Sequence, residues 1–279
     1  MQHLFAQLTN NPSLIQLTLF GTIITSLWIV EIKIGASPFA PKFKRTQVNS
    51  LFILSALPVQ LLFAILTLSA ARLAAQHNWG LVYLLPNAEE PIIKYGLMFI
   101  VLDLLDYVYH RTMHFVPAFW RFHLLHHTDL AVDVSTTVRE HPGETIIRNG
   151  FLVFWIFLCG ASVEILMIRQ AAETVINISS HSSLRLPRRI ANVAGFLFIT
   201  PNLHHAHHHF QLPATNRNFG DVFSVWDRVF GTFIDLSRDE TVFGLDTHMD
   251  GQIDRHLIKY VTIISEFFRG LRRARLNQT

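Results

Sequence analysis

The feature that most constrains this chain is an absence of charge. Thr46 to Ala71 is uncharged for 26 residues, and Leu14 to Val30 carries no charge either. About 20 apolar residues at 1.5 Å rise carry a helix across a bilayer core of roughly 30 Å. The first of these runs is long enough and the second nearly so. Soluble domains are about a quarter charged, whereas this chain of 279 residues is 15% charged and 50% hydrophobic. No Gly/Ser-rich linker, low-complexity run or internal repeat divides it. The one cysteine, Cys159, lies in an apolar run and reads as a small buried hydrophobe.

A third apolar stretch, Ile92 to Leu105, holds Asp103 and continues to His110, so it is expected to leave the membrane as a continuing helix. Asn149 to Val163 is uncharged for 15 residues and Glu164 to Ser180 is mixed. Together they read as a hairpin too short for two full spans, expected to be shallow or shielded by protein. Basic residues mark the cytoplasmic flanks. None precedes Glu31, while Lys33, Lys42, Lys44 and Arg45 lie between the first two spans. Arg111, Arg121, Arg139 and Arg148 follow the third stretch, and Arg185, Arg188 and Arg189 follow the hairpin. The first terminus is therefore expected outside and the histidine-rich segments in the cytoplasm. The first span lacks a basic leader and is expected to remain.

The expected fold is all-α and integral to the membrane: three main transmembrane helices and a shorter membrane hairpin, with a helical cytoplasmic cap. Residues 1–279 form one membrane domain. Its N-terminal transmembrane region is 1–91, its histidine-rich region 92–235 and its cytoplasmic C-terminal tail 236–279.

Eleven of the 16 histidines fall in two bursts, His110 to His141 and His204 to His209. His110 and His114 are spaced i, i+4, one turn apart on one helical face. His123, His126 and His127 form HxxHH, and His204, His207 and His208 repeat it. One HxxxH arises readily by chance, but three boxes in one chain point to metal. So many imidazole donors exceed what a mononuclear centre uses, so two metals are implied. His205, His208 and His209 obey the HxxHH spacing too. His3, His77, His248 and His256 lack motif context and read as solvated.

The order Asp106-x-x-x-His110-Arg111-x-x-His114, Phe122-His123-x-x-His126-His127, His181 before Leu184-Arg185-Leu186-Pro187, and Thr200-Pro201-x-x-His204-x-x-His207-His208 resembles the fatty acid hydroxylase and sterol desaturase superfamily. Asn218-Phe219-Gly220 through Trp226-Asp227-Arg228 to Thr232 is similar to that family's closing signature, so the likeness covers roughly residues 90 to 235. The resemblance implies that His110, His114, His123, His126, His127, His181, His204, His207 and His208 hold two iron ions and are the catalytic residues. In that family such a centre activates dioxygen to hydroxylate or desaturate a lipid chain or sterol. The Thr200-Pro201 pair selects the register His204, His207, His208. His141, within Arg139-x-His141-Pro142-x-Glu144, is a candidate further ligand or a partner of one. Some relatives carry another histidine where this chain has Asn177, which stands as a candidate to hold a metal-bound water or to pack.

Metal-bound histidines usually give their other N–H to a carboxylate or carbonyl. Asp106, one turn before His110, is the first candidate for that role, followed by Asp221 and Asp227. No GxGxxG, P-loop or iron–sulfur cysteine pattern occurs. Electrons are expected from an external reductase, ferredoxin or cytochrome b5-like donor, substrate and membrane lipids from the bilayer, and no nucleic-acid partner. The expected location is a bacterial inner membrane or endoplasmic reticulum. A histidine-rich metal transporter is the rival of another class, but transport needs polar ligands across the membrane depth and neither uncharged run contains a histidine or a carboxylate. A catalytically inactive, metal-stabilised scaffold is the other alternative.

Overall fold

A computed structural model describes residues 12–84 and 90–249. His3, His256 and the part of the expected tail beyond residue 249 lie outside the described residues. Among the described residues, helix α1 (Pro12–Lys33) and helix α2 (Phe39–Gln76) are the two long and apolar enough to cross a membrane. Their outward side chains suit lipid: Leu17 is 67% exposed, Leu61 60% and Ile65 66%. α3 (Pro91–Phe115), α4 (Pro117–His127), α5 (Pro142–Cys159) and α6 (Val163–His181) follow, then the short α7 (Arg188–Ala194), α8 (Pro201–His207) and α9 (Val225–Val229). Among the described residues there is no sheet, only the isolated bridges Phe198–Phe223 and His209–Phe243.

Proline sets where three of the four histidine-bearing helices begin, and also the start of α5. α3, α4, α5 and α8 each open on proline, whose fixed φ suits the first turn and whose missing N–H costs nothing there. Between α3 and α4 the chain leaves helical geometry only at Val116, with φ −90° and ψ 110°. That single break redirects His123, His126 and His127 relative to His110 and His114. On α8, the Thr200 side chain accepts from the Leu203 N–H and completes the N-cap.

α2 packs along α5 and α1 along α6, with α3 against both arms of the hairpin. The hairpin reaches the far end of α2 and is shielded along its length by α1, α2 and α3. Its turn at Gly160 meets Trp79 and Gly80, just past the end of α2. A Cβ on Gly80 would stand 2.1 Å from the Gly160 nitrogen, so the two backbones approach only because both residues are glycine. Charges do not shorten these helices because they are paired: Arg148 with Glu140, and Arg169 with Asp106 and Glu173. Near this end lies an apolar core that includes Ala71, Met98, Leu102, Ile156, Cys159 and Ile165.

At the other end, buried polar groups lock the first two helices to the cap. Lys42 donates to Glu31 at 2.5 Å and lies 3.0 Å from Asp133, which also takes Arg45 at 2.6 Å. Glu31 accepts in turn from the Ser183 N–H at 2.6 Å. Arg139, fully buried, donates to Asn49, to Thr128 and to the Leu125 carbonyl. Removing one partner of such a cluster would strand a buried charge. The segment 236–249 packs on the cap: Arg185 donates to Thr241, the Val242 N–H donates to His209, and Leu245 is 6% exposed.

Candidate metal centre

Nine histidines from α3, α4, α6 and α8 converge in two groups. His110, His114, His123, His127 and His207 form the first; His126, His181, His204 and His208 form the second. Within each group one nitrogen per ring lies within 4.8 Å of all the others. An ion bound at about 2.1 Å places opposite ligands roughly 4.2 Å apart, so each group has the dimensions of one coordination sphere. The groups adjoin, with the His127 and His208 rings stacked at 4.6 Å.

Both HxxHH boxes are divided between the groups, in opposite senses. His123 and His127 go to the first and His126 to the second, whereas His204 and His208 go to the second and His207 to the first. Residues i and i+4 differ by about 40° around a helix, while i+3 lies roughly 100° from i+4. One turn of helix therefore serves two ions. His205 and His209 point elsewhere: His205 accepts from Arg185 at 3.1 Å and His209 from the Val242 N–H at 3.1 Å.

Outer hydrogen bonds fix the ring orientations. A carbonyl only accepts, so Nδ1–H is the donor wherever Nδ1 faces one. His110 donates to Phe219 O at 3.0 Å, His207 to Arg217 O at 2.6 Å, His181 to Asn177 O at 2.8 Å and His126 to Arg139 O at 3.4 Å. His123 donates to Glu144 Oε1 at 2.6 Å and His114 to Asn216 Oδ1 at 3.1 Å. In these six rings the Nε2 lone pair is left for the interior.

That arrangement fits a cation. His126 and His181 spend their protons outward, yet their Nε2 atoms stand 3.0 Å apart. Two lone pairs at that distance repel unless a positive ion lies beside them. The buried Nε2 atoms of His114 and His207, whose Nδ1 atoms are engaged outward, have no hydrogen-bond partner; such orphans are costly without a ligand. Burial, reinforced by neighbouring histidines, pulls His126, His127, His204 and His208 well below the usual imidazole value. Burial also takes His207 down to about 3, despite the carbonyl of Arg217. All five are neutral donors at pH 7, as metal ligation requires.

The other expected site residues behave differently. Asp106 meets no histidine: its carboxylate is taken by Arg169 of α6, which offers two guanidinium nitrogens in place of a single imidazole N–H. Asn177 contributes its main-chain carbonyl. His141 caps α5, accepting from the Gly143 N–H at 2.8 Å, and belongs to neither group. Asp227 acts one step removed, accepting from the Phe219 and Gly220 N–H groups and so holding the turn whose carbonyl faces His110. Trp226 donates to Asp103 on α3 at 2.7 Å. The carboxylate that does hold a ligand candidate is Glu144, buried to 5%. Its signal was its place in Arg139-x-His141-Pro142-x-Glu144, one turn into a helix beginning beside the second box.

Comparison with known proteins matches residues 95–232 to the fatty acid hydroxylase family. The chain is 30% identical over 127 residues to ornithine lipid hydroxylase OlsE of Rhizobium tropici, covering 46% of this chain and 38% of that protein. It is 26% identical over 149 residues to alkylglycerol monooxygenase of Caenorhabditis elegans, covering 52% of this chain and 28% of the relative. The human alkylglycerol monooxygenase is 27% identical over 153 residues, with 54% and 32% covered. The matches thus span well under half the length of these relatives. No solved structure matches at a significant level. The matched segment begins early in α3, ends beyond α9 and contains all nine converging histidines, and through it the chain belongs to the fatty acid hydroxylase superfamily.

Proposed function

We propose that the chain is a membrane-embedded di-iron oxygenase that hydroxylates or desaturates a lipid, drawing electrons from a separate donor protein. The observation that carries this reading is the pair of adjoining, buried, all-histidine groups, each the size of one coordination sphere. His110, His114, His123, His127 and His207 hold one iron, and His126, His181, His204 and His208 hold the other. Iron in such ligation supplies the dioxygen chemistry that oxidises an unactivated C–H bond. Hydroxylation consumes one dioxygen, two electrons and two protons and yields an alcohol and water.

The chain's own residues hold the site in register and keep it dry. Glu144, Asn216 and the carbonyls of Phe219, Arg217, Asn177 and Arg139 take the outward protons. Trp120 and Phe219 lie 4.8 and 5.0 Å from the His114 ring and wall it from water. Ornithine lipids and alkylglycerols, named in the relatives, are both long-chain amphiphiles. The substrate class that follows is a chain with a polar head, reaching the site from the bilayer. α1, α2 and α3 span the membrane, the α5–α6 hairpin lies alongside them, and the cap faces the cytoplasm with the basic ends of α1 and α2. Residues 92–235 form the catalytic region of one membrane unit.

The test is metal content, together with oxygen-dependent oxidation of a lipid extract, on protein purified in detergent from iron-replete cells. About two irons per chain, lost together with turnover in His126→Ala, is the expected result. Protein that carries no iron, or turnover equal to wild type in His126→Ala, would sink the proposal.

A further inference from the structure

The face of α8 that carries His205 turns away from the histidine groups and toward a cavity of about 200 Å3. Its lining includes Arg45, Arg185, Arg238, Ser183, Thr241 and Asp133. Three guanidinium groups thus face one carboxylate, and that carboxylate is already shared by Lys42 and Arg45. Within this wall Glu31 and Asp133 offset Lys42 and Arg45. Arg185 and Arg238 remain.

Arg185 is half-buried and its hydrogen bonds go to neutral groups: Nε donates to His205 at 3.1 Å and a terminal nitrogen donates to Thr241 at 2.7 Å. Both contacts orient the guanidinium without neutralising it. Burial, then the nearby charge of Arg238, pull it below the usual arginine value, against the weaker pull of Asp235 and Asp239. Both of those carboxylates are exposed, and Asp235 is 3.6 Å from Arg188. The Ser183 hydroxyl, shielded from solvent in the same lining, has no hydrogen-bond partner. A held cation beside a second cation and an idle hydroxyl is an arrangement that an oxyanion completes.

We propose that this cavity binds a phosphate-class anion, gripped by Arg185 and Arg238 with Ser183 donating. Two sources present that chemistry, a phospholipid headgroup and free phosphate. The position favours the headgroup. Ala36 and Ser37, in the turn joining the two apolar helices, form part of the wall. A second cavity of about 250 Å3 shares Arg185 and Arg238 and runs to Ala191 and Asn192 on α7. Ile190 and Val193 are exposed on that same helix, where acyl chains would lie. Basic pockets at the cytoplasmic surface of membrane proteins take lipid headgroups in this manner.

The test uses the full-length chain in detergent, titrated with inorganic phosphate, dihexanoyl phosphatidic acid and phosphate-free dihexanoylglycerol, and read by thermal shift. Phosphatidic acid is expected to raise the melting temperature saturably and dihexanoylglycerol to leave it unchanged. Arg238→Gln and Arg185→Gln are each expected to weaken binding about tenfold while iron content stays at the wild-type value. Stronger binding of phosphatidic acid than of phosphate assigns the site to a lipid, and equal binding assigns it to the free anion. Absence of binding by both, dihexanoylglycerol binding as tightly as phosphatidic acid, or unchanged affinity in Arg238→Gln overturns the proposal. Arg238 is exposed, so that variant remains informative if Arg185→Gln fails to fold.

Discussion

The two histidine groups draw on the same helices but are not equally built. The first has five rings, and four of them are tied from outside, by Phe219 O, Asn216, Glu144 and Arg217 O. The second has four rings, of which only His126 and His181 are tied, the former through a long 3.4 Å contact. Outer contacts raise both the basicity and the fixity of a ligand. The first group is therefore the more firmly held, and in the proposed di-iron reading the second, one ring smaller, is the one left for an outside ligand.

Removing one ring from each side breaks the comparison most sharply. His204→Ala leaves the second group three histidines, and the iron content is expected to fall from about two to about one per chain, with turnover lost. His114→Ala leaves four in the first, and about two irons should remain, bound more weakly. Iron counting by elemental analysis decides it. Equal loss from both variants would mean that the two ions bind as one cooperative unit and that the asymmetry has no consequence.

Acid is the next lever. His207 titrates at about 3 in the folded chain, below the unfolded value of about 6.5. Its contribution to stability is thus complete above 6.5 and is lost as pH falls toward 3. Each buried histidine of this kind costs the metal-free protein up to about 1.4 kcal/mol per pH unit below 6.5. Melting temperatures of chelator-treated protein between pH 7.5 and 5 should fall steadily. With iron bound, release should begin in the second group and proceed in two stages; release in one stage would erase the distinction.

Glu144→Gln sharpens the comparison from the outside. The amide can accept from His123 but no longer supplies charge, and a weakening of 10- to 100-fold in metal affinity is typical when such a partner is lost. The effect should be confined to the first group, because His123 belongs to it. Competition with a graded chelator measures it, and weakening of the second ion instead would sink the assignment.

Much of this was legible in the sequence, and the illegible parts share a cause. The uncharged runs and the three boxes are local patterns, so α1, α2 and the nine histidines could be read off spacing and family likeness. The opposite sharing of the two boxes depends on how α4 and α8 face each other. The pairing inside the α5–α6 hairpin was hidden because Arg148 and Arg169 appear as charges along the chain and only in three dimensions as ion pairs. Asp106 shows the same limit. Its i, i+4 spacing to His110 suggested a local contact, whereas its partner lies 63 residues away.

That reassignment yields the smallest expected effect on metal. Asp106→Asn removes a carboxylate from Arg169, which is 9% exposed and keeps Glu173 at 3.1 Å as its remaining anionic partner. Weakening a buried, charge-assisted pair while leaving one partner in place costs on the order of 1–3 kcal/mol of stability. No nitrogen of either histidine group touches Asp106, so iron content and the two-stage acid release should match wild type while the melting temperature falls. If the variant instead lost the iron of the first group, Asp106 would be acting on His110 after all. The stronger anchoring of that group would then rest partly on a carboxylate one turn below it, and not only on Glu144, Asn216 and two backbone carbonyls.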